Sequence, residues 1–163
     1  MRAVVGNFWE LKAYSKGIPT NGVVKKNGRA VMGRGVALQA RERWPDLEGL
    51  LGTAIAALGN HVYPLGWFGE YPDLVSLFSF PVKHHWARPA SLELIERSVA
   101  ELANKLRGQK TAEGSEIDFM MPLPGTGNGG LEPWMVWPLV ERLPDNVTIV
   151  VLDVGMLPRA VVL

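Results

Sequence analysis

Glycines are concentrated in one stretch of the sequence, residues 122–131 (PLPGTGNGGL), which holds four glycines in six residues. Backbone without side chains, placed at the start of a helix, presents N–H groups that bind phosphate oxygens. Gly125, Gly127 and Gly130 have the Gly-x-Gly-x-x-Gly spacing of a dinucleotide-binding loop. An isolated glycine pair more often forms a tight turn, but this density of glycines predicts a loop that binds a phosphate or a pyrophosphate.

Two familiar phosphate-binding motifs do not fit the rest of the sequence. A Rossmann site needs an acidic residue about 20 positions further on, with more βαβ units after it. Asp153 lies 23 residues after Gly130, but only ten residues follow Asp153. A P-loop needs Lys-Ser or Lys-Thr after the glycines, and neither is present. We therefore expect a phosphate site of another kind, with no nicotinamide cofactor.

A second glycine-rich loop, residues 21–35, also follows a predicted strand and ends at the start of a predicted helix. Two such loops can enclose one ligand from both sides. The cations of this loop, Lys25, Lys26, Arg29 and Arg34, are typical of a solvated loop. They can equally attract a phosphorylated substrate or a DNA strand towards a cleft.

Lys83 is a candidate for chemistry because it follows an almost wholly apolar predicted strand, residues 74–80. A lysine beside phosphate loops stabilises an anionic ligand, and with a lowered pKa it can act as a base or form a Schiff base. Taken alone, such a lysine is more often solvated.

The adjacent His84 and His85 point in opposite directions on an extended chain, so both cannot easily serve one site. We expect no bound metal.

Composition excludes several classes of function. The 163 residues are 47% apolar and 20% charged, which predicts one globular domain over residues 1–163. Seventeen basic and sixteen acidic side chains leave a net charge of +1, so no strongly basic surface is expected. The absence of cysteine excludes disulfides and thiolate chemistry and fits a reducing cytosol. With no signal peptide and no apolar run of membrane-spanning length, we expect a cytoplasmic protein without membrane contact.

Strands and helices alternate along the sequence. Strands are predicted at residues 2–5, 12–18, 61–65, 74–80, 117–123 and 146–153, and helices at residues 36–44, 46–58, 91–107 and 133–143. This alternation predicts an α/β domain with a mixed central sheet and a ligand at the carboxyl ends of its strands. The last stretch, residues 154–163, is apolar enough to pack on the domain or to complete a sheet edge.

Local signals mark several boundaries of these elements. Ser91 is a predicted N-cap, Asp46 is predicted to cap the helix that follows it, and Pro133 is predicted to begin the last helix. Pro19 is expected to end the second strand.

Four segments of the sequence, taken together, resemble the successive conserved blocks of a macrodomain. They are Thr20-Asn21-Gly22, residues 32–39 (MGRGVALQ), residues 80–86 (FPVKHHW) with 91–96 (SLELIE), and residues 124–131 (PGTGNGGL). They occur in the expected order, and within that superfamily they are most similar to the branch of the DNA ADP-ribosyl glycohydrolase antitoxins (DarG) and the terminal ADP-ribose glycohydrolases. The resemblance implies a three-layer α/β/α macrodomain with a cleft for ADP-ribose.

The resemblance also implies roles for particular residues. Asn21 corresponds to the asparagine that faces the distal ribose, and Lys83 to a lysine that serves catalysis in this branch, so both are catalytic candidates. The other implied ligand-binding residues are Gly6, Asn7, Phe8, Thr20, Met32, Gly33, Arg34, Gly35, Val36, Pro124, Gly125, Thr126, Gly127, Asn128, Gly129, Gly130 and Leu131. Trp86, Trp134 and Trp137 are candidates for stacking on adenine, although large aromatic residues are more often part of a core or a cleft wall.

Two positions depart from the macrodomain pattern. Many macrodomains have an aspartate after the first strand that accepts a hydrogen bond from adenine, and Asn7 stands at that position here. Its amide oxygen can accept the same bond without charge. Glycohydrolases that act on protein-linked ADP-ribose have an acidic residue where this chain has Gly129, which argues against a carboxylate-dependent mechanism. Full-length members of the DNA-directed branch usually carry a second domain, and these 163 residues are expected to contain only the first.

Three functions follow from the resemblance. The first is binding of ADP-ribose with hydrolysis of an ADP-ribosyl linkage on a nucleic acid or a protein. The second is a non-catalytic module that binds ADP-ribose or a related nucleotide, and the third is an ADP-ribose 1''-phosphate phosphatase. The expected partner is ADP-ribose or an ADP-ribosylated substrate, including DNA. We expect no cofactor, and we expect the protein to be a monomer. The sequence does not identify the linkage or the target.

Overall fold

The computed structural model describes residues 1–158, and residues 159–163 lie outside the described part. The strands are β1 (Arg2–Val5), β2 (Ser15–Asn21), β3 (Pro64–Phe68), β4 (Val75–Lys83), β5 (Phe119–Pro122) and β6 (Val147–Val151). The helices are α1 (Gly35–Arg43), α2 (Leu47–Leu58), α3 (Leu92–Leu106) and α4 (Pro133–Val140), followed by a 3₁₀ turn, Val154–Met156. Each predicted strand and helix therefore has a counterpart in the fold.

The strands form one mixed sheet in the order β1-β6-β5-β2-β4-β3. The first five strands in this order are parallel, and β3 pairs antiparallel with β4 at the edge. The parallel strands therefore place their carboxyl ends, and the loops that follow them, along the same edge of the sheet. This is where ligands bind in open α/β sheets.

Apolar side chains cover both faces of the sheet, so the predicted three-layer α/β/α arrangement is confirmed. In β5, Phe119 and Met121 pack into the core under α3 and α4, whereas Met120 lies in the core under α1 and α2. This alternation follows from the two-residue period of a strand. Both cores have buried centres, as the full burial of Phe119 and Ile18 shows.

Several strand boundaries differ from the prediction by up to three residues, and two of these differences have a clear physical reason. β2 continues through Pro19, which lacks an N–H. The N–H of Ser15 donates to the backbone carbonyl of Asp118, on the β5 side of β2. Pro19 lies four residues later, so its nitrogen faces the same side, beyond the last residue of β2 that pairs with β5. β3 begins only at Pro64 because the two preceding N–H groups bond to side chains. The N–H of Val62 donates to the Glu101 carboxylate at 2.8 Å, and the N–H of Tyr63 donates to the Ser79 hydroxyl at 2.9 Å.

Two of the three predicted helix starts have the expected chemistry. The Ser91 hydroxyl accepts a hydrogen bond of 3.2 Å from the N–H of Leu94, which confirms it as an N-cap, and Pro133 begins α4. Asp46 precedes α2 as predicted, but its backbone is helical and its side chain makes no capping bond, so that part of the prediction was wrong. A capping side chain needs an extended backbone at its own residue.

Of the two alternatives for residues 154–163, packing on the domain or completing a sheet edge, the structure shows packing for the first part. Met156 and Leu157 pack against the core under α3 and α4. Residues 159–163 lie outside the described residues. Among the helices that are described, none combines the length and apolar character needed to cross a bilayer.

Candidate functional site

A cleft of about 1400 Å³ lies along the carboxyl ends of the parallel strands. Its walls include Gly6 and Asn7 after β1, the loop after β5, Asn21 at the end of β2, and Lys83 at the end of β4. Four inter-strand steps separate β1 from β4, which corresponds to about 19 Å. The cleft is therefore elongated across the sheet, with the β5 loop near its middle.

The glycine loop after β5 is a tight structure in which two glycines have no room for a side chain. Gly125 has a φ of +76°, and a Cβ there would lie 2.7 Å from the Ile95 side chain. A Cβ at Gly129 would lie 2.3 Å from the carbonyl oxygen of Gly125. The carbonyl of Gly125 also accepts a hydrogen bond of 3.0 Å from Leu131. The backbone of this loop therefore excludes an acidic side chain at residue 129 as it stands.

The second glycine loop meets the first one across the cleft. Gly35, the first residue of α1, has a φ of +56°, and a Cβ there would lie 3.2 Å from the Asn128 side-chain nitrogen. A Cβ at Gly33 or at Gly127 would meet no atom within 4 Å, so the backbones of these two glycines face open space. The two loops thus form opposite walls with exposed backbone, as their sequences predict.

The structure brings most of the predicted site residues into this cleft. The predicted residues that line it are Gly6, Asn7, Phe8, Thr20, Asn21, Gly33, Arg34, Gly35, Val36, Lys83, Gly125, Thr126, Gly127, Asn128 and Gly129. Met32, Pro124, Gly130 and Leu131 do not line it. Met32 is buried in the core under α1 and α2, and Leu131 packs on the core under α3 and α4, because each apolar side chain turns inward from its loop.

Asn21 uses its side-chain amide to close the loop that follows it. The oxygen accepts a hydrogen bond of 3.0 Å from the N–H of Val23, and the nitrogen donates one of 2.9 Å to the carbonyl of Val31. An amide nitrogen carries two N–H groups, so one remains for a ligand. Beside it, the buried Thr20 hydroxyl has no hydrogen-bond partner among the described residues, which is costly in a protein interior.

Lys83 lies at the end of β4, and the residue is partly exposed. Burial, followed by the positive charge of Arg34, lowers the pKa of the Lys83 amine below its usual value of 10.5. The amine donates a hydrogen bond of 3.4 Å to the backbone carbonyl of Trp86, and the Lys83 carbonyl accepts one of 3.0 Å from the side chain of Asn60. A lysine whose pKa is lowered is neutral more often, and the neutral amine is the form that acts as a base or nucleophile.

The wall at the β1 end is aromatic and is supported by a buried cation. The Asn7 side-chain oxygen accepts a hydrogen bond of 2.9 Å from the N–H of Trp9, and the Trp9 indole donates one of 2.8 Å to Gln39. Lys16, only 5% exposed, donates to the carbonyl of Phe8 at 2.8 Å. Burial, and then the charge of Arg43, lowers the pKa of Lys16 from 10.5 to about 8.

Several cleft residues were not predicted from the sequence. They are Trp9, Glu10, Pro19, Val31, Ala37, Gln39, Glu42, Arg43, Val82, Pro122, Leu123, Val150, Val151, Leu152 and Met156. Trp9 follows the predicted Gly6, Asn7 and Phe8 directly, so its position in the chain was a usable signal. Arg43 carried no such signal, because only folding brings it over the Trp9 ring, whereas Gln39 is the last residue of the 32–39 segment.

The three candidate tryptophans have different surroundings. Trp86 lines the cleft and is 52% exposed. Trp134 is 72% exposed and does not line the cleft. Trp137 is buried, with its indole N–H donating a bond of 2.7 Å to the Met156 carbonyl.

The histidines do not form a metal centre. Within residues 1–158, no group of three His, Asp or Glu side chains is arranged to hold a metal ion. His84 is exposed, and His85 accepts a hydrogen bond of 3.1 Å from the N–H of Ala87. His61 instead pairs with Glu101 at 2.7 Å.

Comparisons with known proteins identify the family. A curated relative from Thermus aquaticus, named DNA ADP-ribosyl glycohydrolase, is 31% identical over 140 residues, or 82% of this chain and 34% of that protein. The chain spans about a third of the length of the curated relatives it matches. No model of a known protein family matches the sequence.

Solved structures agree with this relationship. Thermosipho africanus DarTG in complex with ADP-ribose has a TM-score of 0.73 at 20% identity, covering 98% of this chain and 44% of that chain. The macrodomain of Thermus aquaticus DarG has a TM-score of 0.66 at 27% identity, covering 93% of this chain and 97% of that one. This chain therefore belongs to the macrodomains, and it resembles those of the DarG proteins.

Proposed function

We propose that this chain binds ADP-ribose in the cleft and hydrolyses an ADP-ribosyl linkage, with ADP-ribosylated DNA as its target. The observation that carries the proposal is the position of Lys83, which has a lowered pKa and lies at the same end of the cleft as Asn21. The name of the curated relatives, DNA ADP-ribosyl glycohydrolase, supports the choice of target. The ADP-ribose bound in the Thermosipho africanus DarTG structure supports the choice of ligand.

The strand order supports one orientation of the ligand in the cleft. The glycine loop after β5 lies between the β1 end and the β2 and β4 ends. A diphosphate held by the N–H groups of the two glycine loops would therefore occupy the middle. Adenine would lie over Asn7 and Phe8, and the distal ribose would lie by Asn21 and Lys83. The second N–H of the Asn21 side-chain amide is available for the ribose hydroxyls.

The proposed chemistry uses the neutral amine of Lys83 in one of two ways. As a base, the amine takes a proton from a water that attacks the anomeric carbon, and the target group leaves with the electron pair of the broken bond and accepts a proton. As a nucleophile, the amine adds to the anomeric carbon of the opened ribose and the target group leaves. Water then hydrolyses the resulting Schiff base, which releases ADP-ribose and regenerates the Lys83 amine.

Calorimetry with ADP-ribose, AMP and NAD tests the binding step. We expect micromolar affinity for ADP-ribose, clearly tighter than for AMP, because AMP lacks the second phosphate and the distal ribose. The absence of heat and of a thermal shift with ADP-ribose would contradict the proposal.

Substitution of Lys83 tests the chemical step. Lys83→Ala should abolish release of ADP-ribose from an ADP-ribosylated oligonucleotide while ADP-ribose still binds. Lys110→Ala, which removes an exposed lysine outside the cleft, is the matched control and should behave as the unsubstituted protein. Borohydride treatment during turnover separates the two routes, because it would join the sugar to Lys83 only if a Schiff base forms. Full activity in Lys83→Ala would remove Lys83 from the mechanism.

A non-catalytic ADP-ribose-binding module is the second candidate function. It is favoured by Gly129, which lacks the acidic side chain of protein-directed glycohydrolases and has no space for one. Tight binding of ADP-ribose without turnover of ADP-ribosylated DNA or protein would support this alternative.

We propose further that residues 1–163 act as a single macrodomain, as a monomer in the cytoplasm. The lack of cysteine supports a reducing compartment. Light scattering after size exclusion and fractionation of cells would test both points.

A further inference from the structure

Trp86 occupies an unusual position for a large aromatic side chain. It is 52% exposed although it lines the cleft, and its backbone carbonyl accepts the hydrogen bond from the Lys83 amine. An exposed indole at the mouth of a cleft offers a flat apolar face together with a polar edge. Such a face is available for a ligand group that extends beyond the site of the chemistry.

The segment that carries Trp86 is held in place at several points. The N–H of Ala90 donates to the Gly129 carbonyl, and the N–H of Ser91 donates to the Val82 carbonyl, each at 2.9 Å. The His85 ring packs beside the Trp86 ring, with 5.2 Å between the ring centroids and 31° between the planes. A pre-positioned ring loses little conformational freedom when it binds a partner.

Trp86 lies too far along the cleft to serve the adenine end. The segment that carries it directly follows β4, which lies four inter-strand steps, or about 19 Å, from β1. At the β1 end, Phe8 and Trp9 already supply aromatic rings, 4.8 Å apart between centroids. Trp86 is therefore on the side of the distal ribose, where the target group is attached.

We propose that Trp86 stacks on the aromatic base to which ADP-ribose is attached, and so gives the protein a preference for base-linked over serine-linked ADP-ribose. This inference rests on the proposed function, since it places the distal ribose beside Lys83. Every nucleobase has a π-face that stacks on an indole, whereas a serine side chain has none. Trp86 is thus a specificity residue that contacts the target group and not ADP-ribose itself.

Binding measurements test this proposal without requiring turnover. The ligands are ADP-ribose and a short single-stranded oligonucleotide carrying ADP-ribose on one base, with the unmodified oligonucleotide and a peptide carrying ADP-ribose on serine as comparisons. All affinities are measured in the Lys83→Ala background, which is expected not to cleave the ligand. The variants are Trp86→Ala, Trp86→Phe and, as the matched control, Trp134→Ala, which removes another exposed tryptophan outside the cleft.

We expect the modified oligonucleotide to bind about 10-fold or more tightly than ADP-ribose, and Trp86→Ala to remove most of that excess. The affinity for ADP-ribose should stay within about twofold, Trp86→Phe should recover much of the excess, and Trp134→Ala should change nothing. The serine-linked peptide should bind like ADP-ribose and should not respond to Trp86→Ala.

Two results would overturn the proposal. One is that Trp86→Ala does not weaken binding of the modified oligonucleotide, so that its excess affinity over ADP-ribose stays the same. The other is an equal loss of ADP-ribose affinity in Trp86→Ala, which would place Trp86 on ADP-ribose itself. Failure of the proposed function can be told apart from failure of the Trp86 proposal. It appears as the absence of ADP-ribose binding, or of turnover, in the unsubstituted protein. A protein that binds both ligands but cleaves neither still decides the role of Trp86.

Discussion

The side-chain amide of Asn60 donates a hydrogen bond of 3.0 Å to the backbone carbonyl of Lys83. The same amide packs against Gly22, where a Cβ would lie 2.9 Å from its nitrogen. Gly22 directly follows Asn21, so one side chain contacts the residue after the end of β2 and the last residue of β4. We therefore expect Asn60 to hold the two catalytic candidates in a fixed relative position.

Replacing Asn60 should reduce the rate of the chemical step more than the binding of ADP-ribose. Asn60→Asp keeps the shape of the side chain but removes the N–H donor, leaving the Lys83 carbonyl unpaired. A small displacement of a catalytic group costs up to about 100-fold in rate, so we expect kcat to fall about 10-fold or more. The Kd for ADP-ribose should change by less than about threefold. Asn104→Asp, the same change at an exposed position on α3, is the control, and an unaltered kcat in Asn60→Asp would refute the positioning role.

The pH dependence of turnover should report the lowered pKa of Lys83. Only the neutral amine acts as a base or nucleophile, so kcat should rise with pH and level off once the amine is deprotonated, below the usual 10.5. Arg34→Met removes one of the two causes of the lowered pKa, so the midpoint of the rise should move to higher pH. The measurement is kcat against pH at saturating substrate. Arg107→Met, at an exposed position outside the cleft, should leave the midpoint unchanged, and a midpoint in Arg34→Met that stays put or moves down would contradict the expected coupling.

Two glycines of the same loop should respond differently to substitution by alanine. Gly125→Ala places a Cβ 2.7 Å from Ile95 at a φ of +76°, so we expect a loss of about 1–3 kcal/mol in the free energy of unfolding. Gly127→Ala meets no atom within 4 Å, so the stability should change little. Its methyl group would face the cleft, and the affinity for ADP-ribose should fall. Urea unfolding and calorimetry of both variants separate these effects, and equal stability of the two variants would be inconsistent with the loop geometry.

Lys16 should make the stability of the protein depend on pH in the alkaline range. Its pKa is about 8 in the folded state and 10.5 in the unfolded state, so the unfolded state binds more protons between these values. The free energy of unfolding should therefore increase as the pH rises from about 8 to 10.5, by at most about 1.4 kcal/mol per pH unit.

Lys16→Met provides the test of that slope. The variant has no titrating amine at residue 16, so its free energy of unfolding should lack this alkaline increase. Urea unfolding of both proteins at several pH values gives the difference between the two slopes, from which the other titrating groups cancel. Parallel curves would show that burial does not lower the pKa of Lys16.

Most of the fold could be predicted from local features of the sequence. The apolar spacing of Ile95, Val99 and Leu102 predicted α3, because a helix buries one face at intervals of three and four residues. Ser91 was recognisable as an N-cap because its hydrogen bond is made within its own turn. Where a boundary depended on a distant partner, as at the start of β3, the prediction was displaced by three residues. There the N–H of Val62 bonds to Glu101, 39 positions away.

The glycine loops were also visible in the sequence, since tight, side-chain-free backbone is a property of the residues themselves. Local pattern could not show which members of the loops face the ligand. Met32 belongs to the second loop, yet its side chain lies in the core under α1 and α2. Similarly, Trp86, Trp134 and Trp137 are the same residue type, and only packing leaves one at the cleft, one in solvent and one in the core.

The sequence by itself therefore determined the alternation of strands and helices, the two glycine loops and the candidacy of Lys83. The tertiary structure decided that β1, β5, β2 and β4 end at one cleft, and that Arg34 and Asn60 lie beside Lys83. The physical reason is the range of the interactions. Helix periodicity, capping and glycine turns involve residues close along the chain, whereas burial, a shifted pKa and a shared cleft arise from residues that only folding brings together.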